Sequence, residues 1–210
     1  MTSATTKGIT PISRYIRMQK DVSAPPAAMC ELLPETKGAS VWVLLAALIL
    51  HTAGDVLLLF DDANFLFFAA GLGAFLLGHW CYLFIITHGL GRSCGWKEVL
   101  CMAGAVAIAP VAVGALGATG AMRYAIMVYF LTLLLLVAIG AIRALRGMPL
   151  SWRIIAGGLL FTISDGLIAV CVFRGIDFPI RHALVLGTYL PAEYLLVSGM
   201  VKRVIPTETE

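Results

Sequence analysis

Residues 41–60 read VWVLLAALILHTAGDVLLLF. Twenty residues is the length of helix that crosses a bilayer core of about 30 Å. Only His51, Thr52, Gly54 and Asp55 interrupt the apolar run. Water is excluded at that depth, so the backbone must bond to itself and the segment is predicted to be a helix. His51 and Asp55 are four apart and share one face of it.

Working outward, five more apolar runs lie at about 65–87, 99–117, 124–142, 154–173 and 183–201. Polar residues fill the breaks: Asp61-Asp62, Arg92 to Lys97, Arg123, Arg143 to Arg153, and Arg174 to Arg181. The connections are short, which predicts antiparallel neighbours. The expected architecture is an all-α, polytopic transmembrane bundle of about six spans. It divides into an N-terminal polar or amphipathic segment (1–40), the bundle (41–203) and a C-terminal tail (204–210).

Composition agrees. The chain has 210 residues, 60% hydrophobic and 13% charged, with a mean hydropathy of +0.93. A soluble domain is about half apolar and about a quarter charged. That excess excludes a disordered chain, a nucleic-acid binder and an ordinary water-soluble enzyme, and it makes the bilayer itself a partner. Cys30, Cys81, Cys94, Cys101 and Cys171 form no C-x-x-C pair, which argues against a disulfide framework or a structural zinc site.

Charge gives the expected orientation. With the N-terminus inside, the inner side collects Lys7, Arg14, Arg17, Lys20, Lys37, Arg92, Lys97, Arg143, Arg146, Arg153, Lys202 and Arg203. The outer side collects Arg123, Arg174 and Arg181. That asymmetry predicts both termini in the cytoplasm, in a bacterial inner membrane or an equivalent one. Trp42, Trp96 and Trp152 fall at the predicted inner boundaries, as an aromatic belt requires. Residues 1–40 contain no continuous apolar core, so no cleavable leader is expected. Ile9, Ile12 and Ile16, interleaved with Arg14, Arg17 and Lys20, fit either a basic surface helix or a loose tail. Small residues at four-residue spacing (Ala70, Ala74, Gly78; Ala105, Ala109) read as helix-packing positions.

Ionisable residues at membrane depth carry the functional message, because each is costly unless it faces a cavity or a partner. The first span holds His51 and Asp55, the second His79 and Tyr82, the fifth Ser164 and Asp165, the sixth Tyr189 and Glu193. At 1.5 Å per residue from the inner boundary, Asp55 lies roughly 21 Å up, Asp165 roughly 17 Å, and His51 and Glu193 roughly 15 Å. His79 lies at roughly 9–12 Å. Carboxylates from three helices at one level imply a shared polar cavity. His88 and His182 sit at span ends, where an interfacial role is expected.

Two carboxyl groups in one dry cavity cannot both ionise cheaply, so one stays a neutral acid while the other acts as a base. That pairing suits acid-catalysed hydrolysis without a metal or other cofactor. The sequence has no G-x-S-x-G, no H-E-x-x-H and no phosphate-cradling glycine loop. Two alternatives stand beside it. His51, His79, Asp55 and Asp165 are donor types that suit zinc, as in a metal-dependent intramembrane hydrolase. Midplane carboxylates also relay protons in proton-coupled transporters, although no inverted repeat or pair of Gly/Pro-broken helices is visible. An intramembrane aspartyl protease ranks lower, since Thr52-Ala53-Gly54-Asp55 lacks the first glycine of G-x-G-D.

The same residues carry a resemblance. Gly54-Asp55-Val56-Leu57-Leu58-Leu59, the G-L-x-x-F-x-x-x-H-x-x-Y element from Gly71 to Tyr82, Phe161-Thr162-Ile163-Ser164-Asp165 and Tyr189-Leu190-Pro191-Ala192-Glu193 occur in order. Together they resemble the YhhN-type lysoplasmalogenases, multi-pass membrane proteins that hydrolyse the vinyl ether bond of lysoplasmalogens. The resemblance covers roughly residues 41–203. It implies a lysophospholipid substrate and Asp55 and Asp165 as the catalytic pair. His51, His79, Tyr82, Ser164, Tyr189 and Glu193 would be supporting or substrate-binding residues. It also implies a phosphate contact from Arg123, Arg174 or Arg181 if the head group enters from the outer side. Two departures are visible. The family usually has about eight spans, two of them ahead of the Gly-Asp helix where this chain is polar. Glu193 stands where the family usually has Gln.

Overall fold

The structure, a computed structural model, describes residues 33–60, 65–88, 90–91, 95–176 and 179–204. The chain divides into two compact units, Met1–Ala39 and Ser40–Glu210. The expected basic helix around Ile9–Ile16 and the tail beyond Val204 lie outside the described residues, as do Asp61 and Asp62.

Every described element is a helix. In chain order they are α1 (Leu33–Leu58), α2 (Phe65–Thr87), α3 (Trp96–Leu116), α4 (Gly120–Leu145), α5 (Ser151–Arg174) and α6 (Arg181–Val204). All six are long and apolar enough to cross a membrane, α1 through its Ser40–Leu58 part. Four of the six predicted runs fall inside these helices, and the runs 41–60 and 99–117 pass the ends of α1 and α3 by one or two residues. Helices α3, α4 and α5 start three or four residues earlier than the apolar runs do. Helical hydrogen bonding does not stop where hydrocarbon stops, so each helix carries interfacial residues such as Trp96 and Trp152 with it. Glycine ends two of the helices: Gly117 (φ 74°) after α3 and Gly175 (φ 62°) after α5 take the left-handed conformation that closes a helix at low cost.

Packing in Ser40–Glu210 follows the chain: α5 against α6, α4 against α5, α3 against α4, with α2 also against α4. Leu133, Leu136, Ile154, Phe161, Leu196 and Met200 are fully buried between them. Side chains such as Trp42, Val111 and Leu66, about 70% exposed, face outward where lipid would lie. Lys97 and Arg153 sit over the rings of Trp96 and Trp152, and Arg146 pairs with Glu98 at 2.7 Å, joining α4 to α3 at that end.

Helices approach closely where glycine removes the side chain. A Cβ on Gly157 of α5 would come within 2.8 Å of Leu196 Cγ and 2.9 Å of the Ala192 carbonyl on α6. Gly78 of α2 leaves the space that the His51 imidazole of α1 fills, and Gly54 of α1 does the same for the Phe75 ring. Of the small residues singled out in the sequence, Gly78, Ala105 and Ala109 are buried, whereas Ala70 is exposed.

A half-buried aspartate pair at the floor of an apolar cavity

A cavity of about 570 Å³ opens between α1, α2, α4, α5 and α6. Arg181 and His182 line one end of it, here called its mouth, at the start of α6 where His182 is exposed. Its walls are apolar, with Phe68, Leu72, Ile126, Phe130, Ile168 and Leu186 among them. At the deep end stand Asp55, Asp165, Tyr129 and Tyr189, against Phe75. Such a cavity is the size and character of a small-molecule or single-chain lipid site.

Each aspartate is held by a tyrosine from another helix. The Tyr189 hydroxyl of α6 donates to Asp55 Oδ2 at 2.9 Å. The Tyr129 hydroxyl of α4 donates to Asp165 Oδ2. Both carboxyl groups are half-buried and line the same cavity. Each therefore has one oxygen fixed by a tyrosine. Ser164 also lines the cavity, but its hydroxyl donates to the Val185 carbonyl at 3.2 Å, tying α5 to α6.

The other polar residues sit one helical turn deeper, away from the mouth. His51 Nδ1 lies 3.1 Å from both carboxylate oxygens of Glu193, and the Tyr82 hydroxyl donates to Glu193 Oε1. The His51 partner is thus Glu193 across the α1–α6 interface rather than Asp55 on its own helix. His79 donates from Nδ1 to the Phe75 carbonyl at 2.7 Å, since a carbonyl only accepts. Its ring packs edge-on against Phe161 (4.4 Å) and lies 4.7 Å from the His51 ring. Phe75 and Phe161 pack against these rings and against Tyr189. They form an aromatic layer between the two levels.

The structure therefore sorts the eight residues chosen from the sequence. Asp55, Asp165, Tyr189 and Ser164 line the cavity, while His51, His79, Tyr82 and Glu193 form a polar cluster behind it. Tyr129 completes the Asp165 side; from the sequence, one tyrosine in an apolar run reads as a packing residue. Of the three arginines expected on the outer side from the charge count, Arg181 lines the cavity mouth. Arg174 instead donates from Nε to the Ala115 carbonyl at 3.0 Å, at the end of α3. Among the described residues, no group of three or more His, Cys, Asp or Glu side chains is placed to hold a metal ion. The four zinc-type donors named from the sequence are divided between the two levels.

Among known proteins, the model of the YhhN family matches residues 18–200 of the chain. No curated protein and no solved structure matches it.

Proposed function

The chain belongs to the YhhN family, and from that premise we propose that it is an integral-membrane hydrolase of lysoplasmalogen-like lysophospholipids. The observation that carries this reading is the pair of tyrosine-held aspartates at the floor of one lipid-sized apolar cavity with a basic mouth.

The chemistry is two-carboxylate acid–base catalysis. The neutral aspartic acid gives its proton to C2 of the vinyl ether. The C1–C2 π pair takes that proton, and an oxocarbenium ion forms at C1. The ionised aspartate stabilises this cation and removes a proton from water as the water oxygen bonds to C1. In the hemiacetal the two roles have exchanged. The newly protonated aspartic acid then protonates the glycerol oxygen as its bond to C1 breaks, and the first aspartate takes the hemiacetal proton. A fatty aldehyde and the glycerophospho head group leave, and both aspartates regain their starting states. General acid–base catalysis of this kind contributes about 10²–10⁴-fold for each positioned group.

Arg181 precedes Tyr189 by eight residues of α6, roughly 12 Å along the helix. A glycerol unit and an arginine side chain bridge that distance, which supports a reading in which Arg181 and His182 meet the phosphate while the ether reaches the aspartates. The chain orientation that fits is the one read from the lysine and arginine count, with both termini cytoplasmic and the cavity mouth on the outer side.

The test is aldehyde release by purified protein from a 1-alkenyl lysophospholipid, with the saturated 1-alkyl ether as control. Aldehyde is expected from the alkenyl lipid alone. Asp55→Asn and Asp165→Asn should each reduce it by about 10²–10⁴-fold. Turnover near wild type in either folded variant rules out the pair as the catalytic groups.

A further inference from the structure

A second cavity, of about 480 Å³, lies at the opposite half of the bundle and is lined by Arg153, Glu193, Tyr194, Val197, Ser198 and Val201. It is formed by the start of α5 and the end of α6, whereas the first cavity opens at the start of α6. Glu193 is the member of the buried polar cluster that reaches it.

From Glu193 a row of titratable groups runs inward. His51 Nδ1 lies 3.1 Å from the Glu193 carboxylate. The His51 and His79 rings follow, centroids 4.7 Å apart, then the Tyr129 ring at 5.8 Å from His79, and the Tyr129 hydroxyl donates to Asp165. His51 and His79 are 1% and 0% exposed. The Nε2 atom of each is buried with no hydrogen-bond partner among the described residues. A cluster that served only to tie helices together would gain nothing from two buried, unpartnered nitrogens, and phenylalanine would fill the same space without the cost of a buried polar atom.

We propose that Glu193, His51, His79 and Tyr129 form a proton relay that connects the second cavity to the aspartate pair. It rests on the catalytic reading of that pair and sets their protonation before turnover, since the cycle itself returns both aspartates to their starting states. A lipid that fills the first cavity closes the aspartates off from solvent at the Arg181 mouth. Their protonation is then set from the other half of the bundle. In one passage, which begins with His51 protonated at Nε2 and ends with it protonated at Nδ1, Glu193 takes a proton from the second cavity and gives it to His51 Nδ1. His51 Nε2–H gives its proton to His79 Nε2, because His79 Nδ1 is committed to Phe75. His79 returns that proton from Nε2 to the Tyr129 oxygen as Tyr129 gives its own to Asp165. Side-chain rotation closes the two ring-to-ring steps. One O–H bond is broken at Glu193 and one formed at Asp165, with no electron transferred. The charged and titratable groups facing the row are Asp55 of α1, Tyr82 of α2 and Tyr189 of α6, with Arg153 of α5 at its entrance.

The test reads protonation and needs no turnover. Full-length protein is held in one orientation in sealed vesicles, its first cavity filled with a saturated 1-alkyl lysophospholipid. The pH is stepped on one face while the carboxylic acid C=O band is followed by infrared difference spectroscopy. Asp55→Asn and Asp165→Asn variants assign the band. It should respond to a step on the Arg153 face and not on the Arg181 face. His79→Phe, which keeps the ring and removes the titrating nitrogen, should slow that response at least tenfold, and His79→Gln serves where the phenylalanine variant does not fold. A response to the Arg181 face, or to both faces equally, overturns the relay, as does an unslowed response in the His79 variants. Because aldehyde release is measured separately, loss of the relay and loss of the hydrolase reading remain distinct results.

Discussion

Replacing Gly157 by alanine puts the close approach of α5 and α6 to a quantitative test. The added methyl would sit 2.8 Å from Leu196 Cγ, 2.9 Å from the Ala192 carbonyl oxygen and 3.1 Å from Leu196 N. Carbon–oxygen contacts settle at about 3.3–3.6 Å and carbon–carbon contacts at about 3.5–4.0 Å. The α6 backbone must therefore retreat by roughly 0.4–0.7 Å, the shortfall at the Ala192 carbonyl, and the Leu196 side chain by roughly 0.7–1.2 Å. Overpacking costs about 1–3 kcal/mol. Two of the three atoms met are backbone, which cannot rotate away, so the upper part of that range applies, about 2–3 kcal/mol. For a chain of this length each kcal/mol moves Tm by about 2–4 °C, giving a fall of roughly 4–12 °C. The same movement draws Tyr189 from Asp55 and Glu193 from His51, and turnover should fall about tenfold for a displacement of that size. Thermal unfolding in detergent, followed by tryptophan fluorescence, measures the first effect. Gly73→Ala is the control, since a Cβ there meets nothing within 4 Å. If Gly157→Ala melts together with wild type and Gly73→Ala, α5 and α6 do not approach as described and the reasoning fails.

Removing the Tyr129 or Tyr189 hydroxyl by Tyr→Phe should leave Tm within a few degrees while kcat drops about 10–100-fold, the equivalent of one hydrogen bond to a charged group. The pH profile of kcat should be bell-shaped: it falls at low pH as the basic aspartate becomes protonated and at high pH as the acidic one ionises. Arg181→Gln should raise KM for a phosphate-bearing lysolipid with little change in kcat, because the phosphate contact is the same in ground and transition states; a fall in kcat alone would place Arg181 at the chemistry instead. Single cysteines at Gly147 and Gly175, in a cysteine-free background, should be labelled by an impermeant reagent from the cytoplasmic and the outer side respectively, and labelling of both from one side contradicts the six-span topology.

Hydrocarbon made much of this protein legible from its sequence. A residue such as Asp55 or Asp165 inside an apolar run has few bland explanations, and both line one cavity. Six helices were visible for the same reason, each run being long enough to span. What the sequence hid was pairing between helices. The i, i+4 relation of His51 and Asp55 places them on one face, yet their partners come from α6: Glu193 for His51 and Tyr189 for Asp55. Rotation of one helix against another decides such pairs, and periodicity within a single helix does not report it. Tyr129 was hidden for a related reason: its ring belongs to the apolar run and only its hydroxyl reaches Asp165. Arg174, read from charge as a candidate for the phosphate, caps the end of α3 through Ala115. That role depends on where α3 and α5 end relative to each other.

The central claim is that Asp55 and Asp165 together carry a proton to carbon and a water to the adjacent carbon. Hydrolysis of a 1-alkenyl lysophospholipid in heavy water, with mass analysis of the aldehyde trapped as it is released, tests this most directly. The account predicts one deuterium at C2 of the aldehyde, and loss of that labelled product in Asp55→Asn, in Asp165→Asn and, with little further loss, in the double variant. Unlabelled aldehyde, or labelled aldehyde at near wild-type rate from either single variant, would contradict it.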